Sequence, residues 1–490
     1  MKGNIRMAEK SIKKNYLFNL SYQILSILTP LITTPYVSRI LGADGIGQYS
    51  FASSIVSYFS MAAIMGTGLY GQREISYNQK NIEKRSSVFW NTVIFRCITT
   101  FIATVVYMIF IKTSGYDGAI YSIMVCNILV VAVDISWFFQ GMEEFKKIAI
   151  RDAIFKIFSI VLIFAFVKES TDLILYIVLM LGVSIMSAFS FWTYVPRYIT
   201  AISVKTLRPF KDLRVIFSLF IPTIAVQIYT VLDKTMIGLI TNDNYENGYY
   251  EQALKVSKMA VTVITALGTV MIPRVGLYFA EGKKHDVEEC MYRGYRFALF
   301  LGVPMCLGLI GIADNMVPWF FGPGYDKVAV LIKILAFLLL AIGINNVTGM
   351  QYLIPTKRQN LYTKTVVIGS VINFILNASL IPILGSIGAA IASIVAETVI
   401  AVIQLVYVRK ELEWKKIIYS GWRYYIAGII MYLMITIENI FLEPSIFHTS
   451  IMIISGGSIY LSVLVLLQDS FFIKNFKNIL EQMRKCKRKY

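Results

Sequence analysis

Residues 357–410 read KRQNLYTKTVVIGSVINFILNASLIPILGSIGAAIASIVAETVIAVIQLVYVRK, and this stretch decides the fold class. Two apolar runs, 362–383 and 386–408, are joined by Leu384 and Gly385. Each is long enough to cross a hydrocarbon layer of about 30 Å as a helix. Lys357 and Arg358 stand before the pair with Lys364 at its outset, Arg409 and Lys410 stand after it, and no basic residue stands at the turn. This is the pattern of a helical hairpin that enters and leaves a membrane on one basic side.

The same pattern extends in both directions. Apolar runs recur at 16–38, 48–70, 87–111, 118–140, 150–167, 172–195, 214–240, 252–275, 294–316 and 326–353 before the hairpin, and at 420–441 and 448–468 after it. An all-α polytopic membrane protein with about fourteen transmembrane helices is expected. Composition agrees: 57% of residues are hydrophobic and 16% charged, with a mean hydropathy of +0.64.

The formal charge of +18, from 47 Lys and Arg against 29 Asp and Glu, would suit a nucleic acid, so the placement of the basic residues decides its meaning. They fall in alternate connections. The first tail holds Lys2, Arg6, Lys10, Lys13 and Lys14, and later sets include Arg73, Lys80, Lys84 and Arg85, then Lys146, Lys147 and Arg151, then Arg197, Lys205, Arg208, Lys211 and Arg214. Lys283, Lys284, Arg293 and Arg296 follow, then Lys415, Lys416 and Arg423, and the final tail holds Lys474, Lys477, Arg484, Lys485, Lys487, Arg488 and Lys489. The intervening connections are nearly bare. That between 240 and 252 has Asp243, Glu246 and Glu251 and no basic residue, and that between 441 and 448 has Glu443. Both termini are therefore expected on the cytoplasmic side, and the positive excess is expected to set topology and meet lipid headgroups, not nucleic acid.

Several functions are excluded by what is missing. Every connection is short, the longest running from Pro196 to Leu213, which leaves no room for a soluble catalytic domain. No GxxxxGK[ST] phosphate loop occurs, so no ATP hydrolysis is expected of this chain. His285 and His448, the only histidines, lie outside the runs, and the five cysteines, Cys97, Cys126, Cys290, Cys306 and Cys486, form no CxxC pair. No disulfide, metal site or other cofactor is expected. The first run lacks a signal-peptide cleavage site before Arg39 and is expected to stay.

The chain reads as duplicated. Arg39-Ile40-Leu41-Gly42 followed by Gly47-Gln48-Tyr49-Ser50-Phe51-Ala52 has a counterpart in Lys234-Thr235-Met236-Ile237-Gly238 followed by Gly248-Tyr249-Tyr250-Glu251-Gln252-Ala253. Six runs separate the two, so both copies share one orientation. The expected organisation is a six-helix lobe over 1–200, a second over 201–410, a cavity between them, and two extra helices with a basic tail over 411–490. Two halves around a cavity imply alternating access.

Charges inside a bilayer are costly, and each is a candidate site residue. Arg96, Asp134, Asp233, Lys234, Lys255, Lys258 and Glu397 qualify. Lys255 and Lys258, three apart, share a helix face, and with Lys234 they would suit phosphate oxygens; the alternative is that the lysines snorkel to headgroups while Asp233 neutralises Lys234. Asp134 with Arg96 would make a structural ion pair. Glu397 follows Gly388, Ala392 and Ala396, a face that would pack closely against a neighbouring helix and tie the carboxylate down. Asn345, Asn346, Asn373 and Asn377 add amides inside the runs; Asn373 and Asn377 are expected to bond between helices and not to substrate, and Trp137, Phe138 and Phe139 to form an aromatic belt at the inner membrane interface.

In chain order, PLITTPYVSRILGADGIG (30–47), DISWFFQGMEEFK (134–146), LDKTMIG (232–238), GYYEQA (248–253), VMIPR (270–274), FGPGY (321–325) and NASLIPILGSIGAAIASIVAE (377–397) resemble the Wzx-type polysaccharide flippases. These form the polysaccharide-transporter branch of the multidrug/oligosaccharidyl-lipid/polysaccharide exporter superfamily. The resemblance implies two six-helix lobes with a final helix pair that offers a groove to a lipid tail. It also implies movement of a polyprenyl-diphosphate-linked oligosaccharide from the inner to the outer leaflet of the bacterial cytoplasmic membrane, for capsule, O-antigen or exopolysaccharide synthesis. Membrane lipids and the polymerase and export proteins of that pathway would be its partners. Arg39, Arg96, Lys234, Lys255 and Lys258 would bind the substrate, and Asp134, Asp233 and Glu397 would couple an ion or gate the lobes. The run 48–70 contains no basic residue, a departure that argues against lipid II as substrate. A drug or cation antiporter of the same superfamily and a membrane polysaccharide polymerase are the competing readings. The final pair argues against the first, and the lack of a large outer loop against the second.

Overall fold

A computed structural model describes residues 2–116, 118–266 and 268–474, and their side chains from residue 25 onward except 26–27, 204, 221–229, 269–270, 414 and 418. Of the basic residues expected to orient the ends, Lys2 to Lys14 lie outside the described side chains, and Lys477 to Lys489, with Cys486, lie outside the described residues. Among the described residues there are helices and no strand, as a bilayer requires of a chain that must satisfy its backbone within each segment. Ten helices among them are long and apolar enough to cross a membrane. Runs 150–167, 214–240 and 252–275 fall outside that set; the last is divided between two helices that end at Thr265 and begin at Gly268, and 150–167 carries Arg151, Asp152 and Lys156.

The chain divides into two compact units, Met1–Gly248 and Tyr249–Tyr490. The first contains α1 (Lys2–Ile64), α2 (Thr67–Tyr77), α3 (Ile82–Thr113), α4 (Ala119–Val133), α5 (Ser136–Gly141), α6 (Phe145–Phe166), α7 (Leu173–Ser190), α8 (Leu213–Thr241) and the start of α9 (Asn244–Thr265). Within α1 the helix breaks at Gly42, whose φ of 67° and ψ of 175° suit a residue without Cβ. The break separates the first two expected runs, and α1 then packs against α3, α4, α6 and α8.

At the other end of α3, Phe89 stacks on the Trp137 ring at 5.8 Å and meets Phe138 edge-on at 5.1 Å. Phe139 stacks on Phe191 at 4.4 Å. Trp137, Phe138 and Phe139 are all buried, which corrects the expectation of an interfacial belt. Gly71 on α2 admits the Trp137 ring, because a Cβ there would lie 2.3 Å from it. Helices α2 and α5 therefore close around the aromatics and take them out of reach of headgroups.

The second unit holds the rest of α9, then α10 (Gly268–Ala280), α11 (Lys284–Phe321), α12 (Asp326–Leu335), α13 (Leu338–Asn345), a π-helical stretch Asn346–Leu353, α14 (Gln359–Leu384), α15 (Ser386–Val408), α16 (Trp414–Ser420), α17 (Trp422–Phe441) and α18 (Ile446–Leu466). The α14–α15 hairpin is the one read from 357–410, and it turns on Gly385 with φ 60°. Ala392 and Ala396 of the small-residue face are fully buried. The final pair docks on α11, where Met431 and Ile435 pack with Leu299, Val303 and Ile312. Asn315 donates to the Leu442 carbonyl at 3.0 Å and accepts from Thr449 at 2.7 Å, and Arg296 pairs with buried Asp469 at 3.0 Å. These polar contacts fix the register of the pair at both its ends.

Candidate functional site

In the first unit α8 is held against the second half of α1 around Lys234. The Thr235 hydroxyl donates to Ser54 Oγ at 2.9 Å and lies 3.1 Å from the Tyr58 hydroxyl. Gly238 admits the Phe51 ring, to which a Cβ would come within 2.2 Å. The fully buried Asn247, at the start of α9, donates to the Lys234 carbonyl at 2.9 Å. Asp233 is buried and Lys234 half-buried. Asn247, Ser54 and Tyr58 were not singled out from the sequence, because a lone amide or hydroxyl in an apolar run carries no pattern; only Asn247's place one residue before the GYYEQA segment hinted at it.

Arg96 and Asp134 are brought together, though not as an ion pair. Arg96, 4% exposed, donates through Nη1 to the Asp134 backbone carbonyl. The Asp134 carboxylate accepts from the Ser136 backbone N–H at 3.0 Å and from its hydroxyl at 2.7 Å. A short acid next to a helix start bonds the backbone ahead of it, and this local bond outcompetes the more distant guanidinium. Arg96 Nε has no protein partner. Both residues border a cavity of about 240 Å³ with Arg151, Ser184 and Ser187. Arg39 is exposed on α1.

In the second unit Lys255 pairs with Glu251 one turn before it at 3.6 Å, and Lys258 is exposed on the same helix. On the same helix, buried Gln252 and Ser257 have no side-chain hydrogen-bond partner among the described residues. Glu397 on α15 is bound by Asn345 of α13, whose amide donates both to its carboxylate and to its backbone carbonyl, the latter at 3.1 Å. Asn377 donates to Asn373 at 3.1 Å within α14. Glu397 is thus tied between helices, as the small-residue face suggested.

Residues 12–279 match the model of the polysaccharide biosynthesis protein family. The chain belongs to that family. The resemblance to the Wzx-type polysaccharide flippases is borne out. A protein of Escherichia coli (strain K12) named "Putative O-antigen transporter" is 22% identical over 405 residues, covering 81% of this chain and 97% of that one. Among solved structures, that of the lipid II flippase MurJ in an inward closed conformation is similar with a TM-score of 0.74 at 17% identity, over 93% of this chain and 99% of that one. An inward-facing multidrug resistance MATE family transporter aligns with a TM-score of 0.63 at 12% identity, over 78% and 94%. These structures share the transporter fold with this chain.

Proposed function

We propose that this protein is a flippase that carries a polyprenyl-diphosphate-linked oligosaccharide from the inner to the outer leaflet of the cytoplasmic membrane by alternating access. The observation that carries the reading is Lys234. It is a cation set within an apolar helix whose backbone is fixed by Asn247 and whose flanks are bonded to Ser54 and Tyr58. A residue held so firmly in a bilayer is more useful as an anion ligand than as a surface charge. Lys234, Lys255, Lys258 and Arg39 bind the diphosphate, with Arg96 as a further cation, while Gln252 supplies an unspent buried amide for sugar hydroxyls. The polyprenol stays in lipid beside α17 and α18. Family membership and the names of the relatives support this class of cargo.

With no ATP motif, the driving force is an ion gradient or the membrane potential. An inside-negative potential favours outward movement of a diphosphate by roughly 2.3 kcal/mol per charge per 100 mV. If an ion is exchanged, Asp134, Asp233 and Glu397 are the carboxylates available, and Glu397 lies deepest in its run. The test is transport of lipid-linked oligosaccharide in proteoliposomes with potential, proton and sodium gradients imposed one at a time. Outward transport stimulated by at least one of them is expected. Transport that ignores all three and needs ATP would overturn the secondary-transporter reading.

A further inference from the structure

The first unit contains a second cationic site, away from Lys234, that the reading above leaves unused. A cavity of about 460 Å³ lies between one face of α3 and the connection from α7 to α8. Lys205, Arg208 and Lys211 border it. None has an ion-pair partner within 4.0 Å among the described residues. The one carboxylate at the wall, Asp212, accepts from the Tyr70 hydroxyl at 2.6 Å. Three cations against one acid leave a net positive cavity.

The connection that carries these cations is anchored. Arg208 donates its backbone N–H to Asn91 of α3 at 2.7 Å, and Thr206 closes a turn onto the Ser203 carbonyl at 2.7 Å. Phe210 packs edge-on against Phe95 at 5.7 Å. Unpaired surface cations repel one another, and three of them around one hollow make a positive potential that draws an anion into it. The anion's chemical type follows from the neighbours. Phe210 in the connection and Phe217 in the first turns of α8 are 51% and 43% exposed, apolar rings suited to an acyl or prenyl chain and wasted on a soluble ion.

We propose that this cavity binds the phosphate of a lipid headgroup at the membrane surface, either the diphosphate of a polyprenyl-linked cargo or the phosphate of an anionic phospholipid. The cargo alternative rests on the flippase reading; the headgroup site itself does not. Guanidinium and ammonium groups converge on the phosphate oxygens, and the tail lies along Phe210 and Phe217.

The full chain in phosphatidylcholine nanodiscs is titrated with a sugar-free polyprenyl diphosphate, with phosphatidylglycerol and with inorganic pyrophosphate, and bound ligand is counted by native mass spectrometry. Saturable binding of one or both lipids is expected, and Arg208→Gln/Lys211→Gln should weaken it at least about tenfold. Arg208→Lys/Lys211→Arg, which keeps the charge, should restore most of it, and an unchanged melting temperature in all variants shows the fold intact. The lipid that binds more tightly identifies the source of the phosphate. Wild-type affinity in the Gln variant, or pyrophosphate binding as tightly as either lipid, overturns the proposal. Flipping is assayed separately, so a wild-type protein that binds phosphatidylglycerol here yet flips nothing would refute the flippase reading alone.

Discussion

Gly47 and Gly248 each sit where only a glycine fits against the other's helix. A Cβ on Gly47 would lie 1.7 Å from the Asn244 carbonyl oxygen, and one on Gly248 would lie 2.0 Å from the Ala43 carbonyl oxygen. The contacts are reciprocal. Gly47 and Gly248 are 201 positions apart (248 minus 47), as are Ala43 and Asn244 (244 minus 43). Two copies of one helix turn meeting about a pseudo-two-fold make contacts of this kind. Asn244 adds a hydrogen bond to Asp44 at 3.0 Å.

Replacing either glycine by alanine forces two backbones apart, and overpacking of this kind costs about 1–3 kcal/mol. Gly47→Ala and Gly248→Ala should each lower the melting temperature of the purified protein. Gly68→Ala, where a Cβ meets nothing within 4 Å, serves as control and should be neutral or stabilising. Equal melting temperatures for all three would contradict the packing.

The Glu397 carboxylate depends on the Asn345 amide. Removing that donor with Asn345→Leu leaves a carboxylate short of one bond inside the helix bundle, at a cost of about 1–3 kcal/mol. The double variant Asn345→Leu/Glu397→Leu should recover part of the loss. Additive losses in a double-mutant cycle on thermal stability would show that the two residues do not act together.

Much of this was legible in the sequence, for reasons that can be named. The hairpin at 357–410 was readable because apolar length, basic ends and Gly385 all speak of one geometry, and the packing of Ala392 and Ala396 follows from their spacing. The Asp134 carboxylate was not readable. Ser136, two residues ahead, offers it a backbone and a hydroxyl donor, and composition cannot rank that bond against Arg96. Trp137, Phe138 and Phe139 were assigned to the interface because aromatics at a run's end look the same in a belt and in a core. What buries them is close approach at Gly71 and Gly141, on helices far apart in sequence.

Side assignment has its own test. Cysteine placed at Asn244, the first residue of α9, should react in intact cells with an impermeant maleimide, and cysteine at Lys283, between α10 and α11, should not. The reverse labelling would invert the proposed topology, since these positions flank the single expected run 252–275.

A pH effect is expected from Lys147, Tyr198 and Glu144, outside the spans. Lys147 donates to the Tyr198 hydroxyl, which donates to Glu144 at 2.6 Å. Burial opposes the ammonium charge, but the Tyr198 bond and the Glu144 carboxylate outweigh it and raise its pKa above the ordinary 10.5. A raised pKa means the contribution is complete below the ordinary lysine range and is lost as pH rises through the folded value. The stability difference between wild type and Lys147→Met should therefore hold steady from neutral pH upward and shrink only in strongly alkaline buffer. A difference that vanishes near neutrality would refute the cluster.

The most direct measurement of the central claim is flipping of a polyprenyl-diphosphate-linked oligosaccharide by Lys234→Ala in proteoliposomes, at matched protein incorporation and with an inside-negative potential. If Lys234 holds the diphosphate, the alanine variant loses transport, Lys234→Arg keeps part of it, and Lys255→Ala and Lys258→Ala give partial, additive losses. Wild-type transport by Lys234→Ala would contradict the account.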